Sequence, residues 1–196
     1  VRKAVGSEID ILVDANTNYT LQDIRKVMPS FDEAGVSWLE EPFPPQDRKA
    51  YGLARTLGRV PFAAGENHYT RYEFATLLDD GDVQFIQPDL SKAGGVTESL
   101  RIAAMASAYK LTINPHTSAT AINMGNTIHF LSAIDNPGYF EGDVTSLNPF
   151  RDEMMDKLAY QLDKDGCVTP YDGIGIGMKI NLDFIKAHPL IDGPCY

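Results

Sequence analysis

The sequence predicts an α/β fold, and within that class a TIM-type (β/α) barrel of six βα units. Short apolar runs alternate with segments in which apolar residues recur at helical spacing. The runs are continuously apolar, as expected for a parallel sheet buried on both faces. Polar residues follow the runs at regular intervals, which indicates that the units repeat around a barrel.

Six strands are predicted, with helices between them. Apolar residues such as Leu21, Ile24 and Met28 repeat at helical spacing, and Asp, Ser or Thr stands near several helix starts. A closed barrel usually takes about eight strands and roughly 250 residues. We therefore expect this 196-residue chain to form an incomplete barrel. The predicted strands are Ile9–Val13, Val36–Leu39, Pro61–Ala64, Val83–Ile86, Leu111–Ile113 and Tyr139–Phe140.

Composition excludes several classes of protein. The chain carries 27 acidic and 17 basic residues, a formal net charge of −10, and its basic residues form no patch that would attract nucleic acid or anionic lipid. The two cysteines, Cys167 and Cys195, are too few for a disulfide framework. No apolar run approaches the ~18 residues of a membrane span. We expect a soluble, cytoplasmic protein.

A chemically active side chain follows each predicted strand. Successive ones are 23 to 27 residues apart, which fits one βα unit per interval. Because the carboxyl ends of barrel strands surround a common mouth, we expect these side chains to converge there. Such residues can also serve simply as N-caps, but Glu caps poorly, which argues against that explanation for the set as a whole. The residues are Asp14, Glu40, Glu66, Asp89, His116 and Glu141.

The types of residue suggest two kinds of chemistry at the mouth. Asp14, Glu40 and Glu66 form an all-oxygen set suited to a hard divalent cation, for which Mg²⁺ is the expected ion. Asp89 and His116 follow neighbouring strands, where a carboxylate can hold an imidazole in one tautomer and raise its basicity. A further histidine, two residues beyond Glu66, is placed to line the same mouth; it is His68.

These motifs, in this order and spacing, resemble the enolase superfamily and, within it, the mandelate racemase-like group. The resemblance implies that Asp14, Glu40 and Glu66 bind Mg²⁺ and that Asp89 orients His116, the general acid/base. It also implies that Glu141 donates a hydrogen bond to the substrate carboxylate or enediolate. Independently of the resemblance, Asn16, Asn67 and His68 are expected to contact the substrate because they lie at the tips of the predicted strands. The matching stretches are Ile11–Asn16, Trp38–Pro42, Gly65–Asn67, Gln87–Asp89 with Lys92–Thr97, and Pro115–His116.

An Asp/His pair of this kind resembles that of acid-sugar dehydratases. We therefore expect Mg²⁺-dependent removal of the proton α to a carboxylate, with β-elimination of water. A racemase or epimerase of α-hydroxy acids is an alternative, which needs a second base, a lysine on a strand upstream of Val1. A non-catalytic fragment of such an enzyme is a further alternative.

The resemblance also predicts the organisation of the chain. We expect residues 1–145 to form the partial barrel with the metal and acid/base site, and residues 146–196 to form a C-terminal extension. The family's N-terminal α+β capping domain is not in this sequence, which suggests a missing N-terminal half or a companion chain. The expected partners are a small-molecule carboxylate substrate and further copies of the chain, with neither nucleic acid nor membrane.

Overall fold

The computed structural model of the chain describes residues 1–118, 120–191 and 193. Their contacts group into two compact units. The first contains Val1–His116 and Ile134–Tyr139, and the second contains Thr117–Ala133 and the described part of Phe140–Tyr196. The second unit thus includes Thr117–Ala133, which the sequence places in the barrel domain. The predicted division into a domain of residues 1–145 and an extension of residues 146–196 stays a prediction. Cys195 lies outside the described residues.

A five-stranded parallel sheet forms the centre of the first unit, with its strands in chain order. The α/β class and the parallel sheet are thus confirmed. The strands are β1 (Ile11–Asp14), β2 (Val36–Glu40), β3 (Phe62–Ala64), β4 (Phe85–Ile86) and β5 (Thr112–Ile113). The helices of this unit are α1 (Arg2–Val5), α2 (Leu21–Ala34), α3 (Arg48–Ala54), α4 (Thr70–Asp80), α5 (Leu90–Ala93) and α6 (Gly95–Ala108).

Helix α2 shows how the local sequence sets these elements. Thr20 and Asp23 form a capping box, in which each side chain accepts a hydrogen bond from the other residue's backbone N–H. Ile24 and Met28, four residues apart, are buried. Gly35 ends the helix in the left-handed conformation. The apolar face that the sequence predicts is therefore the face that packs inward.

An aromatic cluster packs between the strands of the sheet. Trp38 on β2 packs against Phe85 on β4, with ring centroids 4.8 Å apart, and against Tyr139, which follows β5, at 6.0 Å. The Tyr139 hydroxyl donates a hydrogen bond to Asp10, which precedes β1. A residue that precedes the first strand and a residue that follows the last strand of the sheet therefore meet. Closure into a barrel stays a prediction.

The prediction of a sixth strand at Tyr139–Phe140 is wrong. The chain instead makes a single parallel bridge, between Pro137 and Ile113. Proline has no N–H to continue a ladder, and the Tyr139 N–H donates to the side-chain oxygen of Asn114 at 2.8 Å. The described residues thus form five strands where six are predicted.

The second unit is mainly helical. Its elements are α7 (Ala121–Leu131), α8 (Pro149–Asp152) and α9 (Leu182–Ala187). Met124 of α7 belongs to a methionine-rich core with Met154, Met155, Met178 and Phe184. Methionine fills irregular gaps well, which suits a unit that has little regular structure after α7. Across both units, none of the described helices is long and apolar enough to cross a membrane.

Gly65 brings the carboxyl ends of β3 and β4 together. Its φ is 151°, and a Cβ built on it would lie 2.6 to 2.8 Å from backbone atoms of Gln87. Backbone atoms cannot swing away as a side chain can, so glycine is needed here for both conformation and space. This close approach fixes the start of the loop that carries Glu66.

We expect Gly65→Ala to lower the free energy of unfolding by about 1–3 kcal/mol more than Gly81→Ala. Gly81 also has positive φ, at 67°, but no atom lies within 4 Å of its Cβ position. The difference between the two losses therefore reports the contact with Gln87 together with the φ of 151°, which a side chain tolerates less well than the left-handed φ of Gly81. Urea denaturation of both variants measures the difference, and equal losses would contradict the tight approach at Gln87.

Candidate functional site

Five of the predicted site residues lie at the carboxyl edge of the sheet. Asp14 and Glu40, the last residues of β1 and β2, are Cα partners in the parallel register. The other three follow the next three strands within two or three residues. Parallel strands bring all their carboxyl ends to one edge, as the sequence predicts. These three are Glu66, Asp89 and His116.

The His116 imidazole is held by the Asp89 carboxylate. Its Nδ1 lies 2.7 Å from Asp89 Oδ2. The other oxygen, Oδ1, accepts hydrogen bonds from the backbone N–H and the hydroxyl of Ser91, at 2.7 and 2.6 Å. Burial raises the pKa of Asp89, but the hydrogen bonds from His116 and Ser91 outweigh it and hold that pKa below its ordinary value. Asp89 therefore caps helix α5 and orients the imidazole at the same time.

The opposite side of the His116 ring faces Glu66. Nε2 lies 2.9 Å from Glu66 Oε2. Since a carboxylate can only accept, hydrogen bonds at both ring nitrogens require the ring to carry both protons. The hydrogen bond from His116, aided by the positive charges of His116 and Lys92, lowers the pKa of Glu66 against the effect of burial. The structure thus joins Asp89, His116 and Glu66 in one network.

Two further side chains contact the remaining oxygen of Glu66. Lys92 Nζ lies 3.6 Å from Oε1, and Asn67 Nδ2 donates to the same oxygen at 3.2 Å. Lys92 has no predicted role, although a basic residue three positions after Asp89, in a mouth rich in carboxylates, is a usable signal of ion pairing. Glu66 therefore receives donors on both of its oxygens.

Asn67 is also bound to Glu41. Its Nδ2 donates to Glu41 Oε2 at 2.6 Å. Within the side chain of Asn67, the amide oxygen is then the atom left for the predicted contact with substrate. Burial raises the pKa of Glu41, and the nearby charge of Glu66 adds to the rise, whereas the hydrogen bond from Asn67 opposes it. Glu41 has no predicted role either, and its position beside Glu40 does not indicate one.

The three predicted metal ligands differ in their surroundings. Asp14 is exposed, and its Oδ1 accepts the backbone N–H of Asn16 at 2.7 Å. Glu40 is buried, with 8% of its surface exposed. Glu66 is bound to His116. Within the described residues, no three His, Cys, Asp or Glu side chains are gathered as a metal cluster. The donor chemistry and the adjacent strand ends still fit a hard cation, and the ligand assignment stays a prediction.

The remaining predicted contacts to substrate are not tested by the geometry. Asn16 follows β1 with a φ of 47°. His68 is 7% exposed, and its ring packs on Phe74 with centroids 5.7 Å apart. Burial lowers the pKa of His68, so its environment is that of a neutral core histidine. Glu141 lies in the second unit, where its Oε2 accepts the Thr117 N–H at 2.8 Å.

Comparison with known proteins gives consistent results. The family model described as "Enolase C-terminal domain-like" matches residues 1–184. A crystal structure of an enolase superfamily member from Polaromonas sp. JS666 superposes with a TM-score of 0.94 at 52% identity, covering 100% of this chain and 51% of that one.

Two curated relatives are named as sugar-acid or lactone enzymes. D-galactarolactone cycloisomerase of Agrobacterium fabrum is 32% identical over 200 residues, covering 98% of this chain and 52% of that protein. D-xylonate dehydratase of Haloferax volcanii is 28% identical over 193 residues, covering 98% and 46%. The chain spans about half the length of the relatives it matches.

The family match over most of the chain agrees with the parallel sheet and with the order of its strand-end motifs. The chain belongs to the enolase superfamily, as a member of the enolase C-terminal domain-like family.

Proposed function

We propose that the chain carries the acid/base half of a Mg²⁺-dependent enzyme that removes the proton α to the carboxylate of an acid sugar and eliminates the β-hydroxyl as water. The observation that carries this proposal is the His116 ring, held at the carboxyl edge by Asp89 with Nε2 directed to Glu66. A histidine oriented in this way is suited to proton transfer at Nε2. The name of the relative from Haloferax volcanii, D-xylonate dehydratase, supports the class of substrate.

The chemistry begins with proton transfer to His116. Asp89 keeps a proton on Nδ1, so a neutral ring presents Nε2 as the base. Nε2 takes the α-proton, and the electron pair of the C–H bond moves into the carboxylate. The pair then returns to form the double bond between the α- and β-carbons while the C–O bond at the β-carbon breaks, and His116 gives its proton to the departing hydroxyl, which leaves as water. The enol that remains becomes a 2-keto acid.

The carboxylates complete this arrangement. Bound at Asp14, Glu40 and Glu66, Mg²⁺ would supply positive charge for the substrate carboxylate. In the structure, His116 Nε2 is hydrogen-bonded to Glu66. His116 can therefore act as a base only when this hydrogen bond is broken. We propose that it breaks when Glu66 serves as a ligand. Glu141 is proposed as a further hydrogen-bond partner of the substrate, together with Asn16, Asn67 and His68.

The proposal also covers the partners of the chain and its location in the cell. Because the relatives are about twice as long, we propose that the chain works with a further half that completes the barrel and caps its mouth. Assembly of several copies and a cytoplasmic location are proposed with it, the latter because the sequence holds only two cysteines. Racemisation or cycloisomerisation would conserve the mass of the substrate, whereas dehydration removes one water, so mass spectrometry of the products separates these reactions.

We expect His116→Asn to lower exchange of the α-proton in D₂O by about 10²–10⁴-fold, because the base is lost. ¹H NMR of a panel of acid sugars in Mg²⁺ buffer measures the exchange. His188→Asn is the matched control, since His188 is an exposed histidine of the second unit. Exchange at the wild-type rate in His116→Asn would remove His116 as the base.

Asp89→Asn should cost less, roughly 10–100-fold in the same exchange assay, because Asp89 orients the proton carrier rather than transferring the proton. An amide can still cap helix α5, but the charged contact with His116 is lost, so the thermal stability should fall. A variant with full activity would show that the contact between Asp89 and His116 is not used in the reaction.

Glu40→Gln should weaken Mg²⁺ binding by about tenfold or more, because a neutral amide replaces one of three anionic ligands. Isothermal titration calorimetry with MgCl₂ measures the dissociation constant. Glu8→Gln makes the same change at an exposed position of the first unit. If both variants bind Mg²⁺ as tightly as wild type, Glu40 is not a ligand.

A further inference from the structure

Glu41 is a buried carboxylate that the proposed reaction does not use. It directly follows β2, and only 2% of its surface is exposed. Burying a carboxylate costs free energy even when it is hydrogen-bonded. Its φ of 33° also lies in the left-handed region, which is strained for a residue with a side chain. Both the burial and the backbone conformation of Glu41 destabilise the folded chain. A contribution to stability therefore does not explain why a glutamate stands here.

The backbone of Glu41 is anchored on both sides. Its N–H donates to the carbonyl of Ala63 on β3 at 2.9 Å, which continues the pairing of β2 with β3 beyond β2. Its carbonyl accepts the N–H of Thr17, in the loop after β1, at 2.7 Å. The backbone of Glu41 is therefore fixed relative to the ends of the first three strands, and its buried side chain starts from a fixed point.

The carboxylate of Glu41 reaches Glu66 through one side chain. Asn67 Nδ2 donates to Glu41 Oε2 at 2.6 Å and to Glu66 Oε1 at 3.2 Å. A primary amide nitrogen carries two hydrogens, one for each carboxylate. Neither carboxylate could bond to the other directly, because both only accept. Asn67 therefore converts a repulsive pair into a bridged one.

The bridge determines which oxygen of Glu66 is available to His116. With Oε1 held by Asn67, Oε2 is directed to His116 Nε2 at 2.9 Å. Functional groups need to be held to within about 0.5 Å, and the residues that support them set that precision. Glu41 supplies such support from the buried side.

We propose that Glu41 is a positioning residue that acts through Asn67 to hold the Glu66 carboxylate in the orientation used for His116 and for the metal ion. This inference rests on the proposed role of Glu66 in the reaction. Glu41 itself touches neither the imidazole nor the substrate in this account.

The test compares four variants of the full chain: Glu41→Ala, Glu41→Gln, Asn67→Ala and the double variant Glu41→Ala/Asn67→Ala. Calorimetry with MgCl₂ gives the dissociation constants. Glu41→Ala and Asn67→Ala should each weaken binding by roughly 10–100-fold. The double variant should bind no worse than either single one, because both act by one route. Glu41→Gln should recover most of the affinity, since its amide oxygen still accepts from Asn67.

Glu98→Ala is the matched control. Glu98 is also buried, at 9% exposure, and accepts hydrogen bonds from Arg71 and Arg101 on the helical layer. Its loss should lower the thermal stability without changing Mg²⁺ affinity. If Glu98→Ala weakens Mg²⁺ binding as much as Glu41→Ala does, the effect is general destabilisation and the proposal is overturned. Should Glu41→Ala fail to fold, Asn67→Ala tests the same link at a half-buried position.

A second readout, without metal, separates this proposal from the proposed function. The imidazole ¹⁵N resonances of His116 report its contact with Glu66. They should move in Glu41→Ala and Asn67→Ala and stay in place in Glu41→Gln and Glu98→Ala. If wild type binds no Mg²⁺ but these shifts occur, the proposed metal role fails and the positioning role stands. Unchanged His116 resonances in Glu41→Ala would overturn the positioning role.

Discussion

Negative charge concentrates at one edge of the sheet, and the fold has to accommodate it. The parallel register places Asp14 beside Glu40, and Glu66 and Asp89 follow the next two strands. Carboxylates at such separations repel one another and resist ionisation unless donors or cations intervene. Glu66 and Asp89 are accordingly surrounded by hydrogen-bond donors and positive charge, and His116 supplies both to each of them.

The same contacts that stabilise the folded chain also prepare it for proton transfer. Asp89 caps a helix with one oxygen and holds an imidazole with the other. Glu66 is bound by His116 and Lys92. These two groups supply positive charge to the same carboxylate that the proposed metal ion would bind. In this account, the side chains at the carboxyl edge exchange one set of positive partners for another when the proposed metal ion binds.

The sequence predicts which residues lie at the carboxyl edge of the sheet better than it predicts which side chains contact one another there. Strand order and the positions of Asp89 and His116 follow from the regular spacing of βα units, because backbone topology decides them. Lys92 and Glu41 escape prediction because their roles depend on side-chain direction within a loop, which spacing does not report. The expected sixth strand fails for a local reason, the missing N–H of Pro137. Asn67 is predicted beside the substrate, but the need to separate two carboxylates takes up its amide nitrogen.

The most direct test of the account is a crystal structure of the chain grown with Mn²⁺ in place of Mg²⁺, with the ion located by its anomalous scattering. We expect one ion between Asp14, Glu40 and Glu66, with Glu66 turned away from His116 Nε2 and Asp89 still bound to Nδ1. An ion bound elsewhere, or a Glu66 that keeps its contact with His116 while the three carboxylates hold the ion, would contradict the exchange of partners on which the account depends.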